Sequence, residues 1–309
     1  MKSSVKGYLL GIAAAASYGM NPLFALPLYA DGMQVESVLF WRYLLALPAV
    51  LLLLLWRGRS VMVAPRQLSP VLAMGFLMAA SSLLLFLSYK YMDVGIASTL
   101  LFMYPLFVAL IMAVRYGERL SAMTVLCMFG ALAGVAMLSS PSGQGVVTWT
   151  GIVLVVLSSL SYAIYLVGVN REPLRRIATL TMTFWVLVAG TLMFSAICLY
   201  EGRLQVPQSP LAWTNALALA LLPTVLSLLC TNAAIEIIGS TRVAILGAFE
   251  PVTAVFIGVT VFNEVLGFNE ILGFIIIIVS VTMIVSAPRI PGHVLSVRRM
   301  FPSLCRRGK

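Results

Sequence analysis

Residues 35–55 read VESVLFWRYLLALPAVLLLLL, and this stretch decides the class of fold. An α-helix rises about 1.5 Å per residue, so about 20 mostly apolar residues cross the roughly 30 Å of hydrocarbon in a bilayer. The stretch has that length and contains few charged side chains. It therefore predicts a transmembrane helix.

The rest of the chain has the same character. Of its 309 residues, 61% are hydrophobic and 10% are charged, against about 25% charged in soluble proteins. Apolar stretches follow one another with short polar links, which predicts an all-α integral membrane protein of ten transmembrane helices. We expect these spans near Gly7–Tyr29, Val35–Leu55, Leu68–Tyr89, Val94–Val114, Ala122–Leu138, Trp149–Val169, Leu180–Tyr200, Leu211–Ala234, Val243–Phe262 and Ile271–Ala287. The first is too long for a signal-peptide core, which predicts an uncleaved helix.

The positions of Lys and Arg predict the orientation in the membrane, because cytoplasmic loops retain positive charge. With the N-terminus inside, all of the 20 Lys and Arg residues except Arg42, Lys90 and Arg203 fall on the cytoplasmic side. The prediction is a multi-pass protein of the bacterial inner membrane with both termini in the cytoplasm.

The two halves of the chain resemble each other. A shift of 144 residues aligns Ser17-Tyr18 with Ser161-Tyr162 and Phe40-Trp41 with Phe184-Trp185, and a shift of 146 aligns Pro105 with Pro251 and Glu118 with Glu264. Five spans per half is an odd number, so the second copy must cross the bilayer in the opposite sense. We expect two inverted repeats, residues 7–139 and 149–287, and a basic cytoplasmic tail, residues 288–309. Inverted repeats recur in secondary transporters.

Several function classes are excluded by the residues that are missing. Cys127, Cys198 and Cys230 lie in apolar stretches and Cys305 in the tail, while His293 is the one histidine, so we expect neither disulfides nor a metal site or other cofactor. No phosphate-binding glycine loop or nucleophile–base pair of an enzyme is present. The formal charge of +10 does not indicate nucleic acid, because the basic residues separate apolar stretches.

The pairs Tyr104-Pro105 and Glu250-Pro251 are each followed by a Glu-Xaa-Leu segment, Gly117-Glu118-Arg119-Leu120 and Asn263-Glu264-Val265-Leu266. Together with the segment from Ile237 to Arg242, which leads into Glu250-Pro251, these motifs resemble those of the EamA-type transporters of the drug/metabolite transporter superfamily. The resemblance covers about Gly7 to Ala287. It implies transport of amino acids or other small metabolites without ATP, and it implies no particular substrate.

Glu250 is the most informative polar residue, because it falls about seven residues inside the ninth predicted span. A charged carboxylate is costly at that depth, which favours the neutral form and makes Glu250 a candidate for proton coupling. The alternative is a structural hydrogen bond to backbone groups freed by Pro251. Pro105 and Pro251 lie in equivalent spans, where they either break a helix beside a substrate or form an ordinary kink.

Further polar and aromatic residues within the spans are candidates for substrate binding. Arg42 is suited to a substrate carboxylate, although an Arg near a span end often reaches the headgroups, and Trp185 also suits the membrane interface. Interhelical hydrogen bonds would equally explain two of the others, Tyr89 and Asn232. The full set of candidates is Tyr18, Asn21, Arg42, Tyr89, Tyr104, Pro105, Tyr162, Trp185, Asn232, Glu250 and Pro251.

These patterns together predict a secondary active transporter that moves a small metabolite by alternating access, as a proton-linked exporter. We expect a small-molecule substrate, contacts with membrane lipids, no nucleic acid, and a possible homodimer through the fifth or tenth span. A flippase for lipids or amphiphiles, or a membrane scaffold without transport activity, is the alternative.

Overall fold

A computed structural model describes residues 2–88, 91, 97, 100–117, 120–138, 148–261, 268–286 and 294–295. These residues are almost entirely helical. The predictions for Tyr89, for the Glu118-Arg119 and Asn263-Glu264 motifs, for His293 and for most of the tail lie outside the described residues.

The helices follow the apolar stretches closely. They are α1 (Lys2–Gly19), α2 (Asn21–Ala30), α3 (Val35–Trp56), α4 (Pro65–Ser88), α5 (Tyr104–Tyr116), α6 (Ala122–Leu138), α7 (Trp149–Gly168), α8 (Thr179–Glu201), α9 (Pro210–Leu219), α10 (Ser227–Ile238), α11 (Ser240–Leu246), α12 (Phe249–Val261) and α13 (Phe268–Ser286). A π-helical segment, Ala220–Leu226, joins α9 to α10, and Leu174–Arg176 forms a 3₁₀ turn. A two-residue antiparallel pair joins β1 (Leu120–Ser121) to β2 (Val294–Leu295).

Six of the described helical segments are long and apolar enough to cross a membrane. They are Ser4–Ala30, Val35–Trp56, Pro65–Ser88, Trp149–Gly168, Thr179–Glu201 and Pro210–Ile238, and shorter apolar helices accompany them. The chain is therefore a multi-pass membrane protein.

Several helices begin and end at residues that favour a helix terminus. The hydroxyl of Ser209 accepts a hydrogen bond from the Ala212 amide at 3.0 Å, and Pro210 follows as the first residue of α9. The α8 helix ends at Gly202, whose φ of 62° is left-handed and is readily adopted by glycine.

Several spans predicted as single helices are interrupted. The first breaks at Met20, between α1 and α2, and the ninth breaks at Gly247 and Ala248, between α11 and α12. In the fourth, a turn at Phe102 and Met103 precedes α5. Hydropathy detects the length of an apolar stretch and not these breaks, although a proline lies in the first turn after each of them: Pro22, Pro105 and Pro251.

Most contacts between helices join the two halves of the chain. The α1 helix packs against α10 and α12, α3 against α8, α4 against α7 and α8, α5 against α7 and α11, and α6 against α13. The α4 and α7 helices are antiparallel, because Ser81 and Ser158 are hydrogen-bonded at 3.0 Å while Tyr91 accepts a bond from Thr148 beyond the end of α4.

The described basic residues, apart from Arg42 and Arg203, gather at one end of the bundle, which we call the basic end. There the hydroxyl of Thr181 donates to the carbonyl of Ser60 at 2.9 Å, and Gln67 donates to the carbonyl of Pro173 at 2.9 Å. The link 57–64 therefore contacts the start of α8, and the link 169–178 contacts the start of α4. At the opposite end, the indole of Trp41 donates to the carbonyl of Gln205 at 2.8 Å, which joins the start of α3 to the link after α8.

Candidate functional site

A narrow cavity lies between the helix breaks, in the half of the bundle nearer the basic end. It has room for about one water molecule. Residues from both halves line this central cavity: Gly11, Ala14, Ala15, Tyr18, Tyr104, Tyr162, Leu166, Ser227, Thr231, Val243, Gly247 and Glu250. The structure thus brings together four of the residues predicted from the sequence: Tyr18, Tyr104, Tyr162 and Glu250.

Aromatic rings form one wall of the central cavity. The ring centroids of Tyr104 and Tyr162 are 4.8 Å apart with the planes at 72°, an edge-to-face contact, and Tyr162 stacks on Tyr165 at 6.1 Å. Such contacts hold the rings in fixed orientations. The wall offers both aromatic faces and hydroxyl groups to whatever enters the cavity.

Glu250 is the one carboxyl group among the residues that line the central cavity. It occupies the first turn of α12, and its backbone amide donates to the carbonyl of Gly247 at 2.9 Å across the helix break. A helix N-terminus carries a partial positive charge, which favours a carboxylate there. Among the described residues no cation lies within 4.0 Å of Glu250, so its charge is not neutralised by an ion pair.

Pro105 and Pro251 both lie in the first turn of a helix that begins after a break. Pro105 is the second residue of α5, and Pro251 is the third residue of α12. The amide of a residue in a first turn has no partner within its helix, so these prolines remove no helical hydrogen bond. This corrects the expectation that each proline breaks a bond inside a continuous span, while the predicted interruption of both helices is present.

Arg42 lies inside the bundle rather than at the headgroups, and its side chain is 3% exposed. Its Nε donates to the hydroxyl of Thr224 at 2.6 Å, and its guanidinium lies 5.4 Å from the ring centroid of Tyr18. The Thr224 hydroxyl in turn donates to the carbonyl of Leu219 at 2.9 Å. The π-helical segment therefore supplies the hydroxyl that holds Arg42 beside a residue of the cavity.

The remaining predicted residues are placed apart from the central cavity or next to it. Asn232 is buried between α7 and α8, where it accepts from the Tyr165 hydroxyl at 3.0 Å and donates to Thr183 at 3.1 Å. The indole of Trp185 donates to the carbonyl of Val61 at the basic end. Asn21 begins α2, and its buried Oδ1 has no hydrogen-bond partner among the described residues.

Equivalent residues of the two sequence halves make equivalent contacts. Trp41 donates to the carbonyl of Gln205, and Trp185, 144 residues later, donates to the carbonyl of Val61, which is 144 residues before Gln205. Within the central cavity Tyr18 faces its counterpart Tyr162, and Tyr104 faces its counterpart Glu250.

Comparison with known proteins agrees with this arrangement. The model of the EamA-like transporter family matches residues 5–140 and again residues 149–286. The chain belongs to the EamA-like transporter family. Because the family model matches twice, each half of this transporter corresponds to one copy of it.

Two known proteins are similar to this chain. It is 33% identical over 196 residues to the uncharacterized transporter sll1319 of Synechocystis sp., a match that covers 60% of this chain and 57% of that protein. A solved crystal structure superposes with a TM-score of 0.80 at 17% identity, covering 90% of this chain and 96% of the other. At that identity the second likeness shows the fold alone.

Three polar residues of this transporter were not predicted from the sequence. Ser227 and Thr231 line the cavity one helical turn apart on α10, and Thr224 binds Arg42. Their spacing of three and four residues along the eighth span places hydroxyls on one face and was a usable signal. Gly247 gave no such signal, because its role is to leave space for the side chain of Tyr104, which is far away in the sequence.

The described residues provide no evident place for a metal ion, since no three His, Cys, Asp or Glu side chains cluster within those ranges. The central cavity instead offers tyrosine rings, hydroxyls and one carboxyl group. This set can bind a small polar or amphipathic molecule by hydrogen bonds and ring contacts, and it can hold or release one proton.

Proposed function

We propose that this EamA-like protein is a secondary active transporter that exports a small metabolite, an amino acid or a related polar or amphipathic solute, across the bacterial inner membrane. Protons that bind at Glu250 drive the cycle of alternating access. The observation that carries the proposal is the position of Glu250: a single carboxyl group, without a described cationic partner within 4.0 Å, lines a cavity between the two halves.

The proposed architecture is ten spans in two inverted repeats. The interrupted pairs α1–α2 and α11–α12, the eighth span α9 to α10, and the helices α3 to α8 and α13 supply these spans. In a repeat of five spans, a contact between the first and eighth spans has a counterpart between the sixth and third spans. Both contacts are present, as α1 packed on α10 and α7 packed on α4. Two further contacts are unchanged when the halves are exchanged. They join the second span to the seventh, as α3 on α8, and the fifth span to the tenth, as α6 on α13.

Alternating access follows from the small size of the central cavity. The space inside it has room for about one water molecule, so a metabolite enters only after the walls separate. The breaks at Met20 and at Gly247 adjoin the cavity and provide places where helices can move without breaking regular hydrogen bonds. With the N-terminus in the cytoplasm, the basic end faces inward and the cavity lies nearer to that side.

A proton on Glu250 fits this cycle for electrostatic reasons. A carboxylate that loses contact with water when the walls close becomes costly, whereas the neutral acid tolerates closure. Substrate and proton therefore compete for, or share, one small space, which couples their movements.

The α6 and α13 helices lie outside the cavity and brace it. They pack on each other, with Gly134 close to Ile277 and the Gly273 carbonyl, and they also present apolar side chains such as Leu126 and Ile275 outward. We propose that this outward face contacts lipid or a second copy of the chain.

The test uses cells first and vesicles second. An overexpressing strain and a deletion strain are screened for tolerance to amino acids and metabolite analogues, and a compound that separates them is then radiolabelled. In inverted membrane vesicles we expect its uptake to collapse when an uncoupler dissipates the proton gradient.

Glu250→Gln keeps the shape of the cavity but cannot exchange a proton, so we expect gradient-driven uptake to be lost while exchange of labelled for unlabelled substrate continues. Glu172→Gln is the matched control, because Glu172 is exposed and pairs with Arg176 at the surface. Full gradient-driven uptake by the Glu250 variant would remove the proton role, and equal tolerance of both strains to every compound would favour the scaffold hypothesis.

A further inference from the structure

A group of apolar side chains, distinct from the main core, closes the bundle between the central cavity and the end opposite the basic end. We call this group the outer cluster. Its buried members come from α2, from the link after α2, from α3 and from α9: Ala25, Leu28, Met33, Val38, Ala212, Ala216 and Leu219. Along the chain, α2 follows the cavity residue Tyr18 and α9 precedes the cavity residue Ser227. Parting α2 from α9 would therefore open the central cavity towards this end.

Both helices of this contact join the rest of their spans through irregular backbone. The α2 helix begins after the break at Met20, and α9 ends at the π-helical segment Ala220–Leu226. Helices bend at such breaks and at π-helical segments. The equivalent positions of the other half, 164 and 76–82, lie inside the continuous helices α7 and α4. The interruptions are therefore specific to the segments that carry the outer cluster and are not imposed by the repeat.

Two buried polar atoms on α2 favour a second position of this helix. The Oδ1 of Asn21 and the hydroxyl of Tyr29 have no hydrogen-bond partner among the described residues. The ring of Tyr29 packs against the outer cluster and contacts Phe86 of α4 edge to face, with the centroids 6.3 Å apart. A buried polar atom without a partner destabilises the arrangement that buries it. Movement of α2 away from α9 would let water reach these atoms and remove that cost.

Hydrogen bonds from Gln205 oppose this movement. Gln205 lies in the link before α9, and its side chain binds the link after α2: Oε1 accepts from the backbone amide of Gln34, and Nε2 donates to the carbonyl of Gly32 at 3.3 Å. The backbone amide of Gln205 also donates to the hydroxyl of Ser37 at 3.0 Å. The equivalent residue at the basic end is Val61, whose side chain cannot form such bonds.

We propose that α2 and α9 form the outer gate of the transport path. The gate opens when α2 turns at Met20 and parts from α9. The side chain of Gln205 holds it closed, while the unpaired polar atoms of α2 favour opening, so a change at either place shifts the balance. The inference rests on the alternating access of the proposed function, but its test needs no substrate.

The test measures gate opening as the reaction of a buried cysteine with a membrane-impermeant maleimide in intact spheroplasts. Ala216→Cys, in a background without native cysteines, places the thiol in the outer cluster, where Ala216 is 1% exposed. We expect slow labelling, because the reagent reaches this thiol only when the gate is open. Tyr29→Phe should lower the labelling rate about tenfold, because the closed gate no longer buries an unpaired hydroxyl. Gln205→Leu should raise the rate about fivefold, because two hydrogen bonds that hold the gate closed are lost.

Matched variants control for the loss of each side-chain group. Tyr43→Phe removes a buried hydroxyl that has a partner, Ser82, and Gln208→Leu removes an amide that donates to Val206 within its own link. Neither variant should change the labelling rate. A protein that keeps Cys198 as its one cysteine is the control for the reporter, because Cys198 is buried near the same end but lies outside the outer cluster. We expect it to stay unlabelled.

Several results overturn the outer gate: an unchanged labelling rate in Tyr29→Phe, labelling of Cys198 as fast as that of Ala216→Cys, or reaction in inverted vesicles alone. Ala25→Cys reports from the α2 side of the outer cluster if Ala216→Cys does not fold, and no labelling of either reporter in any variant also overturns the gate. Gradient-driven uptake with an unresponsive labelling rate removes the gate and leaves the proposed function. Responsive labelling without uptake of any compound leaves the hinged movement and removes the transport role.

Discussion

At the scale of single residues, Gly247 shows how closely the two halves meet. A Cβ at this position would fall on the hydroxyl of Tyr104, which occupies the space that the glycine leaves. The turn between α11 and α12 can therefore approach α5 only because residue 247 has no side chain.

We expect Gly247→Ala to cost about 1–3 kcal/mol in the free energy of unfolding, typical of overpacking, and to reduce transport by displacing the Tyr104 ring from the cavity wall. Tyr104→Phe removes the hydroxyl, so the double variant should recover part of both losses. Unfolding in mixed detergent–SDS micelles and vesicle uptake measure the four proteins of this double-mutant cycle. Strict additivity of the two changes would show that the contact is absent.

Arg42 provides the second residue-scale prediction, because it is buried and its Nε donates to the Thr224 hydroxyl. Thr224→Val keeps the shape of the side chain but removes the acceptor at 2.6 Å from Nε. A buried charged donor that loses its partner costs about 1–3 kcal/mol, so the unfolding free energy should fall by that amount.

Thr191→Val is the control for Thr224→Val. Thr191 is also buried in a helix, but its hydroxyl donates to the carbonyl of Leu187 in the same helix, so we expect a smaller loss. If both threonine variants unfold at the same SDS fraction, the bond between Arg42 and Thr224 contributes nothing to stability.

At the scale of elements, the lengths of the helices and the interruptions before Pro105 and Pro251 were predictable from the sequence, while the sides on which the helices face each other were not. The α3 and α6 helices match the predicted spans to within one residue, because the length of an apolar stretch is a local property. Hydropathy does not register the breaks at Met20 and Gly247, although Pro22 and Pro251 lie in the first turn of the helix that follows each.

The candidate site was likewise predictable from the sequence only in part. Tyr18, Tyr104, Tyr162 and Glu250 were predictable because the sequence repeat marks equivalent positions in equivalent spans, and all four line the central cavity. Asn232 and Trp185 satisfied the same criterion of polarity within a span. Their partners, Tyr165 and the Val61 carbonyl, are far away in sequence, so the contacts that hold them elsewhere could not be foreseen.

The paired tryptophans give the prediction that belongs to this scale. Trp41→Phe and Trp185→Phe each remove one indole-to-carbonyl hydrogen bond, at opposite ends of the bundle. If the halves are structural copies, the two losses should be similar, about 1 kcal/mol each, and additive in the double variant because the sites are far apart.

Trp149→Phe is the control for the tryptophan pair, because Trp149 is largely exposed and is expected to leave stability unchanged. Thermal unfolding in detergent measures all four variants. A large loss at one tryptophan and none at the other would mean that the two bonds do not hold equivalent structures.

At the scale of the whole molecule, the arrangement of charge and the arrangement of contacts each support the proposed inverted topology. The helices α1 and α10, α3 and α8, and α6 and α13 pair across the halves, while the described basic residues other than Arg42 and Arg203 collect at one end. A protein with two parallel halves would place equivalent links at the same end. Here the link after α3 contacts the start of α8 at the basic end, and the link after α8 contacts the start of α3 at the opposite end.

Arg59 and Arg203 make this topology measurable, since they are equivalent residues 144 positions apart, both exposed, in the links after α3 and after α8. In a background without native cysteines, Arg59→Cys should react with a membrane-impermeant maleimide only in inverted vesicles, and Arg203→Cys only in intact spheroplasts. Five spans separate the two positions, and because five is an odd number, these equivalent positions face opposite compartments. Reaction of both cysteines from one side would contradict the inverted repeat, and with it the exchange of conformations between halves on which alternating access depends.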